Sequence, residues 1–335
     1  MLLIINDISD CDWNKFVDSH PQGNVYQHSS IFEIYKNTKN YEPVRFALLE
    51  VESKTIKGVI QGVIIKEMNN VFSQFSSRAI IFGGPLISSD LSKKYALDLI
   101  QNFDDEVKKR TIYTEIRNLF EMKDTLDTIP DYSFIEHLNF LINLDRTENE
   151  LWKSIHKDRR KNITRSEKYG LVFEEMKDDS KMDIFYSLLK TTYTNVQIPL
   201  ADKSLFLAAM KLLVPSGHAK FFLARYEDRY IGARAILLYN KTIYDWYAGA
   251  SLEDLSNYPN EFLVWNILKW GIQNNYSRFD FGGAGDPNKP YGPREFKRRF
   301  GGDLVNFGRF TKIHKPHMMK ITQYGFELYR KIVYK

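Results

Sequence analysis

Apolar residues along the chain recur with two periods, and the switches between them lay out the elements. Residues 2–5 form a short continuous apolar run and read as a strand. Residues 12–19 read as a helix, and an aromatic stretch, 26–35, follows. Runs rich in Val, Ile, Leu and Phe at 44–51, 58–66 and 79–82 read as strands, the last ending in Gly83-Gly84-Pro85. Across 91–109 the apolar positions Leu91, Tyr95, Leu99 and Val107 fall near a spacing of 3.6, which predicts a helix. Strands at 111–116 and 134–143 close this half.

A boundary falls near Asp145. Thr147 and Glu150 match a capping box, so a helix starts there. It is expected to run unbroken to about Lys168, with Gly170 as its C-cap. A strand at 171–175 follows, then helices at 182–193 and 203–213. Strands at 219–226, 230–238 and 242–249 lead to a helix at 261–274 and a last strand at 278–281. The halves echo each other: Lys57-Gly58-Val59-Ile60 parallels Tyr230-Ile231-Gly232-Ala233, and Phe82-Gly83-Gly84 parallels Tyr247-Ala248-Gly249. Two copies of one α+β unit account for the order of elements and the boundary together. The tail, 315–335, has apolar residues at helical spacing and reads as an amphipathic helix with a basic face. It either docks on the core or lies on an anionic membrane surface.

Composition narrows the class. The chain has 335 residues, 43% hydrophobic and 27% charged, which suits two globular domains. One cysteine, Cys11, excludes an internal disulfide, and nothing beside it would activate a thiol. The first residues lack the basic region of a signal peptide, and no apolar run approaches ~18 residues, so a cytoplasmic place is expected.

The net charge of +5 is concentrated. Segments 152–168, 289–299 and 309–335 carry 7, 5 and 7 Lys/Arg against 2, 1 and 1 Asp/Glu. The rest of the chain is net acidic. A clustered surplus suggests an anionic partner, with phosphates, nucleotide sugars, tRNA and lipid headgroups all qualifying, or else helix faces neutralised in space.

Several chemistries lack their motif. There is no G-x-S-x-G elbow, no Walker loop, no H-E-x-x-H and no dinucleotide G-x-G-x-x-G after a strand. The seven histidines are scattered, so no metal site is expected. What stands out is the glycine-rich, basic segment 281–302. Gly282 and Gly283 allow close backbone approach and can present N–H groups to an anion, and Lys and Arg follow to add charge.

These residues resemble a known family. Phe279-Asp280-Phe281-Gly282-Gly283, followed by Phe296-Lys297-x-x-Phe300-Gly301-Gly302, is similar to the closing signature of the FemAB/FemX transferases, which build peptidoglycan cross-bridges. Arg160-x-Asn162-Ile163-x-x-Ser166-x-Lys168-x-Gly170 resembles their R-x-N-I-x-x-A-x-K-x-G segment, and Tyr26-Gln27-x4-Phe32 a motif near their start. The resemblance spans nearly the whole chain. It implies an α+β fold of two tandem GNAT-like acyltransferase domains with mixed, mostly antiparallel sheets flanked by helices. Residues 1–145 plus the C-terminal helix 317–335 would form the first domain, and 146–316 the second.

The implied reaction moves an aminoacyl group from aminoacyl-tRNA to an amine of a UDP-linked or lipid-linked (lipid II) peptidoglycan precursor. The alternative is a CoA-dependent N-acyltransferase acting on an amino sugar or peptide in cell-surface polysaccharide synthesis. A non-catalytic module for a glycan precursor or RNA is the third reading. No permanently bound cofactor is implied, only the donor, aminoacyl-tRNA or acyl-CoA. The protein would be cytoplasmic, with peripheral contact at the inner membrane surface left open.

Lys297 and Phe296 match the family's Phe-Lys pair at the substrate site, and Tyr247 is placed like a family tyrosine that contacts substrate. Such donors are already activated, so no covalent nucleophile is needed. Lys297 is the expected cation at the reacting carbonyl. Arg159, Arg160 and Arg165 are candidates for substrate phosphates. Asp280 is either a base or a loop cap.

Overall fold

The structure, a computed structural model, describes residues 1–66 and 77–320. In chain order the first part holds β1 (Leu2–Ile5), α1 (Asp10–Ser19), α2 (Ser29–Lys36), β2 (Tyr41–Glu50), β3 (Thr55–Lys66), β4 (Ser77–Phe82), β5 (Leu86–Ile87), α3 (Lys94–Val107), β6 (Tyr113–Arg117), α4 (Lys123–Leu126) and β7 (Ser133–Ile135). Then come β8 (Leu138–Asn143), α5 (Glu148–Ser154), α6 (Lys157–Lys168), β9 (Val172–Met176), α7 (Met182–Asn195), α8 (Lys203–Leu212), β10 (Ala219–Tyr226), β11 (Arg229–Tyr239) and β12 (Thr242–Ala250). The chain goes on through α9 (Pro259–Gln273), β13 (Arg278–Gly285), α10 (Gly292–Arg298), β14 (Asp303–Val305) and β15 (Arg309–Ile313). It clusters into two units: Met1–Glu136 with the described chain from Phe307 onward, and His137–Asn306.

Among the described residues each unit has one sheet. In the first the order is β1-β2-β3-β4-β6-β15-β7, with β5 beside β3; in the second it is β14-β8-β13-β12-β11-β10-β9. The internal echo in the sequence is matched strand for strand. The first unit pairs β1 to β4 antiparallel and then β4 with β6 in parallel. The second pairs β9 to β12 antiparallel and then β12 with β13 in parallel. Gly58 and Gly232 fall on the equivalent strands β3 and β11. Each would press a Cβ into a neighbouring side chain, Ile87 or Pro259.

The cores follow the periodicities. In the first unit Leu99, Ile100, Phe103 and Val107 of α3 pack on Ile60, Ile64, Ile81 and Ile116. In the second, α9 buries Phe262, Leu263, Trp265, Ile267 and Leu268 against Phe222, Ile236, Ile243 and Phe279. Tyr26-Gln27 serves the first core: the Gln27 amide donates to the carbonyls of Phe82 (2.7 Å) and Gln61 (3.0 Å), and Tyr26 stacks on Phe82.

Three sequence expectations change. The strand expected at 134–143 is two strands, because β7 pairs with β15 while β8 pairs with β13 and β14. Residues 137–145 therefore group with the second unit and 309–313 with the first, which moves the break from 145 to 136/137. The helix expected from 147 to 168 breaks at Ile155-His156. Thr147 and Glu150 form the full capping box of α5, and the His156 ring caps α6 through the Asp158 N–H. Burying Ile155 there needs extended backbone, which ends the first helix. Third, the last strand, expected at 278–281, runs further: β13 continues through the glycine-rich segment to Gly285, and α10 follows. The amphipathic tail helix, expected over 315–335, lies outside the described residues beyond 320.

Candidate functional site

The second unit carries a local break in its sheet. β12 and β13 pair only at Thr242–Tyr244 with Arg278–Asp280, although both strands continue further. Bulges pull them apart. The β11–β12 register slips between Ala235 and Ile236, and the β13–β8 register slips twice, between Asp280, Gly283 and Gly285. An extra residue bends and twists a strand, so successive slips turn β13 away. Gly282 (φ +68°) and Gly285 (φ +77°) supply left-handed backbone that other residues enter at a cost. Past the parting, the backbone groups that the two strands would exchange are open to other partners.

Lys297 of α10 is that partner. Its Nζ donates to the carbonyls of Phe281 (2.5 Å), Gly282 (3.2 Å) and Gly283 (2.9 Å). Burial pulls its ammonium down to about 8; Asp245 pushes the other way, and Arg234 adds to the depression. Gly282 and Gly283 thus turn their carbonyl oxygens to a cation, while the Gly282 N–H goes to the Asp280 carboxylate. Arg294 closes the segment, donating to the carbonyls of Ala284 (2.8 Å), Pro287 (3.3 Å) and Asp286. Arg298 and Arg299 both pair with Glu295. Most of the cationic surplus of 289–299 is spent inside the segment.

Phe296, the neighbour of Lys297, faces another way. Its ring lies 4.3 Å from the Arg159 guanidinium and 5.2 Å from the buried Phe300. Arg159 also forms an ion pair with Glu261 of α9, both mostly buried, and Asn162 donates to the same carboxylate at 3.1 Å. The geometry spends Arg159 on joining α6, α9 and α10. Arg160 is half-buried, with its Nε unpartnered, and Arg165 is exposed, donating to Tyr258 Oη at 3.2 Å. Tyr247 packs edge-on against Phe206 of α8 at 4.8 Å and beside Tyr193 of α7.

Asp280 is buried and takes hydrogen bonds from Asn139 (2.8 Å) and from the Gly282 N–H (2.7 Å). Burial pushes its carboxyl up, and those two bonds pull it partly back. The bond to an N–H two residues on is a loop cap, so the geometry matches the capping alternative.

Two residues at the parting escaped sequence reading. Arg234 of β11 holds Asp245 of β12 with two hydrogen bonds, Nε to Oδ1 at 2.8 Å and Nη2 to Oδ2 at 3.2 Å. Their side chains are only 5% and 8% exposed. The available signal was a lone arginine inside an otherwise apolar strand, where an unpaired charge is costly. Asp245 also comes close to β13: a Cβ on Gly282 would lie 3.5 Å from its carbonyl oxygen.

Residues 153–298 match the family model described as Acetyltransferase (GNAT) domain, so the second unit carries an acyltransferase domain of GNAT type. The whole chain is similar in fold to FemX, with TM-score 0.69, 17% identity, and coverage of 96% of this chain and 100% of that one. It is also similar to the C-terminal domain of a putative lysylphosphatidylglycerol synthetase from Agrobacterium fabrum (TM-score 0.56, 10% identity, 93% of each chain). A tandem GNAT protein from the clavulanic acid biosynthesis pathway matches with TM-score 0.60, 9% identity, 94% of this chain and 99% of that one. None of the curated proteins matches. The fold is the tandem GNAT arrangement that the signature residues implied.

Proposed function

We propose that the chain is a FemX-like transferase that moves an aminoacyl group from aminoacyl-tRNA onto an amine of a cell-envelope precursor, UDP-linked or lipid-linked peptidoglycan. One observation carries the reading. A lysine with a lowered pKa bridges the carbonyls of Phe281–Gly283 where β12 and β13 part, beside a buried Arg234–Asp245 pair. Such a site supplies positive charge and shape. An ester-linked aminoacyl group needs little else, because it is already activated.

The amine attacks the ester carbonyl, and Lys297 is the cation near the oxygen that gains charge. Phe296, held by Arg159 and Phe300, keeps α10 and hence Lys297 in register. Arg165 and Arg160 are the arginines of α6 left to meet substrate phosphates. Asp280 is enclosed and already hydrogen-bonded, which leaves the substrate's own carboxylate or phosphate to take the amine proton. The resemblance to the FemAB/FemX transferases supports this substrate class, as does the lysyl group in the name of the putative lysylphosphatidylglycerol synthetase of similar fold.

The GNAT domain match favours a second reading, acyl transfer from acyl-CoA to an amino sugar or peptide. Residues 251–258, which lead into α9, hold two carboxylates, Glu253 and Asp254, and no glycine. That is a poor cradle for the pyrophosphate of CoA, and it favours tRNA. Among the described residues no helix is long and apolar enough to cross a membrane. Peripheral contact with the cytoplasmic membrane face would suit a lipid-linked acceptor.

The test is transfer of labelled amino acid from charged tRNA to a UDP-linked precursor, with and without RNase, in wild type and Lys297→Ala. RNase-sensitive transfer that falls at least ~100-fold in the variant supports the reading. RNase-resistant transfer with acetyl-CoA supports the second reading. Unchanged transfer in a folded Lys297→Ala protein removes Lys297 from the site.

A further inference from the structure

The donor inventory at the strand parting is uneven. A lysine ammonium has three N–H groups, and Lys297 directs them at three backbone carbonyls. In this arrangement it has no N–H left for a substrate oxygen. A guanidinium has five N–H groups. Arg234 gives one from Nε and one from Nη2 to Asp245, and its Nη1 is buried without a partner. An unmet buried donor of this kind is costly unless a ligand or water takes it. Asp245 fixes the plane of the group, so the direction of Nη1 is fixed as well. Asp245 is the first residue of β12 past its pairing with β13, and it and Arg234 both act electrostatically on the Lys297 ammonium.

Arg234 lies on the face of β11 that also carries Gly232 and Ile236. A Cβ at Gly232 would meet Pro259 and Leu263, so this is the face under the start of α9.

Building on the transfer reading above, we propose that Arg234 is a catalytic residue of this site: its Nη1 donates to the acyl carbonyl oxygen of the donor as that oxygen becomes negative. Lys297 then braces β13 and supplies field, and Arg234 supplies the hydrogen bond. The amine nitrogen bonds to the carbonyl carbon, and the C=O electron pair moves onto the oxygen at Nη1. Its return expels the ribose oxygen of the tRNA, which leaves as a hydroxyl with the proton lost by the amine. Arg234 keeps its own protons throughout.

The experiment compares single-turnover transfer and thermal unfolding in wild type, Arg234→Lys, and the double variant Arg234→Met with Asp245→Leu. Lysine keeps the charge and one bond to Asp245 but has no Nη1. The double variant removes both buried charges, a change that is often neutral or stabilising. The expected result is transfer slowed about 100-fold in both, with donor KM within about twofold of wild type and folding retained. Folded variants within about threefold of wild type overturn the inference, as would be found if Nη1 only holds a buried water. A loss that tracks the unfolded fraction also overturns it, because Arg234 would then serve only structure. If wild type transfers from neither charged tRNA nor acyl-CoA, the transfer reading falls first and this inference with it. Active wild type with unaffected Arg234 variants sinks this inference alone.

Discussion

Asn139 and Asp280 meet across the strand pair β8–β13 at 2.8 Å, and the same carboxylate oxygen, Oδ1, also accepts the Gly282 N–H. This contact ties the strand that opens the second unit to the last residue at which β13 still pairs with β12. The parting that exposes the Phe281–Gly283 carbonyls begins one residue later.

Asp280→Asn should therefore fold, because an amide oxygen can accept both bonds. The native carboxyl is held above its ordinary 3.8, so the folded state keeps its proton to higher pH than the unfolded chain. Folding stability due to Asp280 is thus largest below 3.8 and declines as pH rises through the folded value. Asn removes that decline. Urea melts at several pH values should show the variant more stable at pH 7, with a flatter profile. A large loss of transfer in the folded variant would instead mark Asp280 as a base.

Lys297 has the opposite linkage. Its folded value, about 8, lies below its ordinary 10.5, so the unfolded chain binds more proton between the two. Stability should rise with pH across that window, and Lys297→Met should flatten the rise. Transfer that needs the ammonium should decline above about pH 8 in wild type. Rates and melts measured from pH 6 to 10 check both trends.

Arg159 and Arg165 sit on one helix yet should behave differently. Arg159→Ala leaves Glu261 as a buried, unmatched charge and removes the cover from Phe296, a loss of roughly 3 kcal/mol. Arg165→Ala should change stability by less than ~0.5 kcal/mol. If Arg165 meets a tRNA phosphate, its loss should lower the slope of log affinity against log salt by about 1. Denaturant melts and salt-dependent tRNA titration separate the two.

Gly302 and Gly170 test the backbone. Both have positive φ, +93° and +78°. A Cβ at Gly302 would sit 2.6 Å from the Leu141 carbonyl oxygen, whereas at Gly170 nothing lies within 4 Å. Gly170→Ala should cost about 1 kcal/mol of strain, and Gly302→Ala several times that, because backbone would have to move. Equal melting shifts would contradict this.

Some of this was legible in the sequence because it is local. The capping box at Thr147 and Glu150, the 3.6 spacing of α3, and the Phe-Lys signature all lie within a few residues of one another. The Asn139–Asp280 and Arg234–Asp245 contacts were not. Their partners come from different strands, and bulges set their register. The break inside 134–143 was hidden for the same reason: an apolar run does not say that its two ends pair with different sheets.

By itself, then, the sequence determined the repeated α+β order, most helices and strands, and the two signature residues Phe296 and Lys297. Periodicity, capping and turn chemistry act over short stretches of chain. Only the tertiary structure decided where the units divide, that Lys297 turns to the carbonyls of Phe281–Gly283, and that Arg159 is spent on Glu261. It also placed Arg234 with a spare donor at the parting of β12 and β13. Those outcomes depend on which distant groups satisfy buried charges and backbone hydrogen bonds, and that matching exists only once the strands are paired.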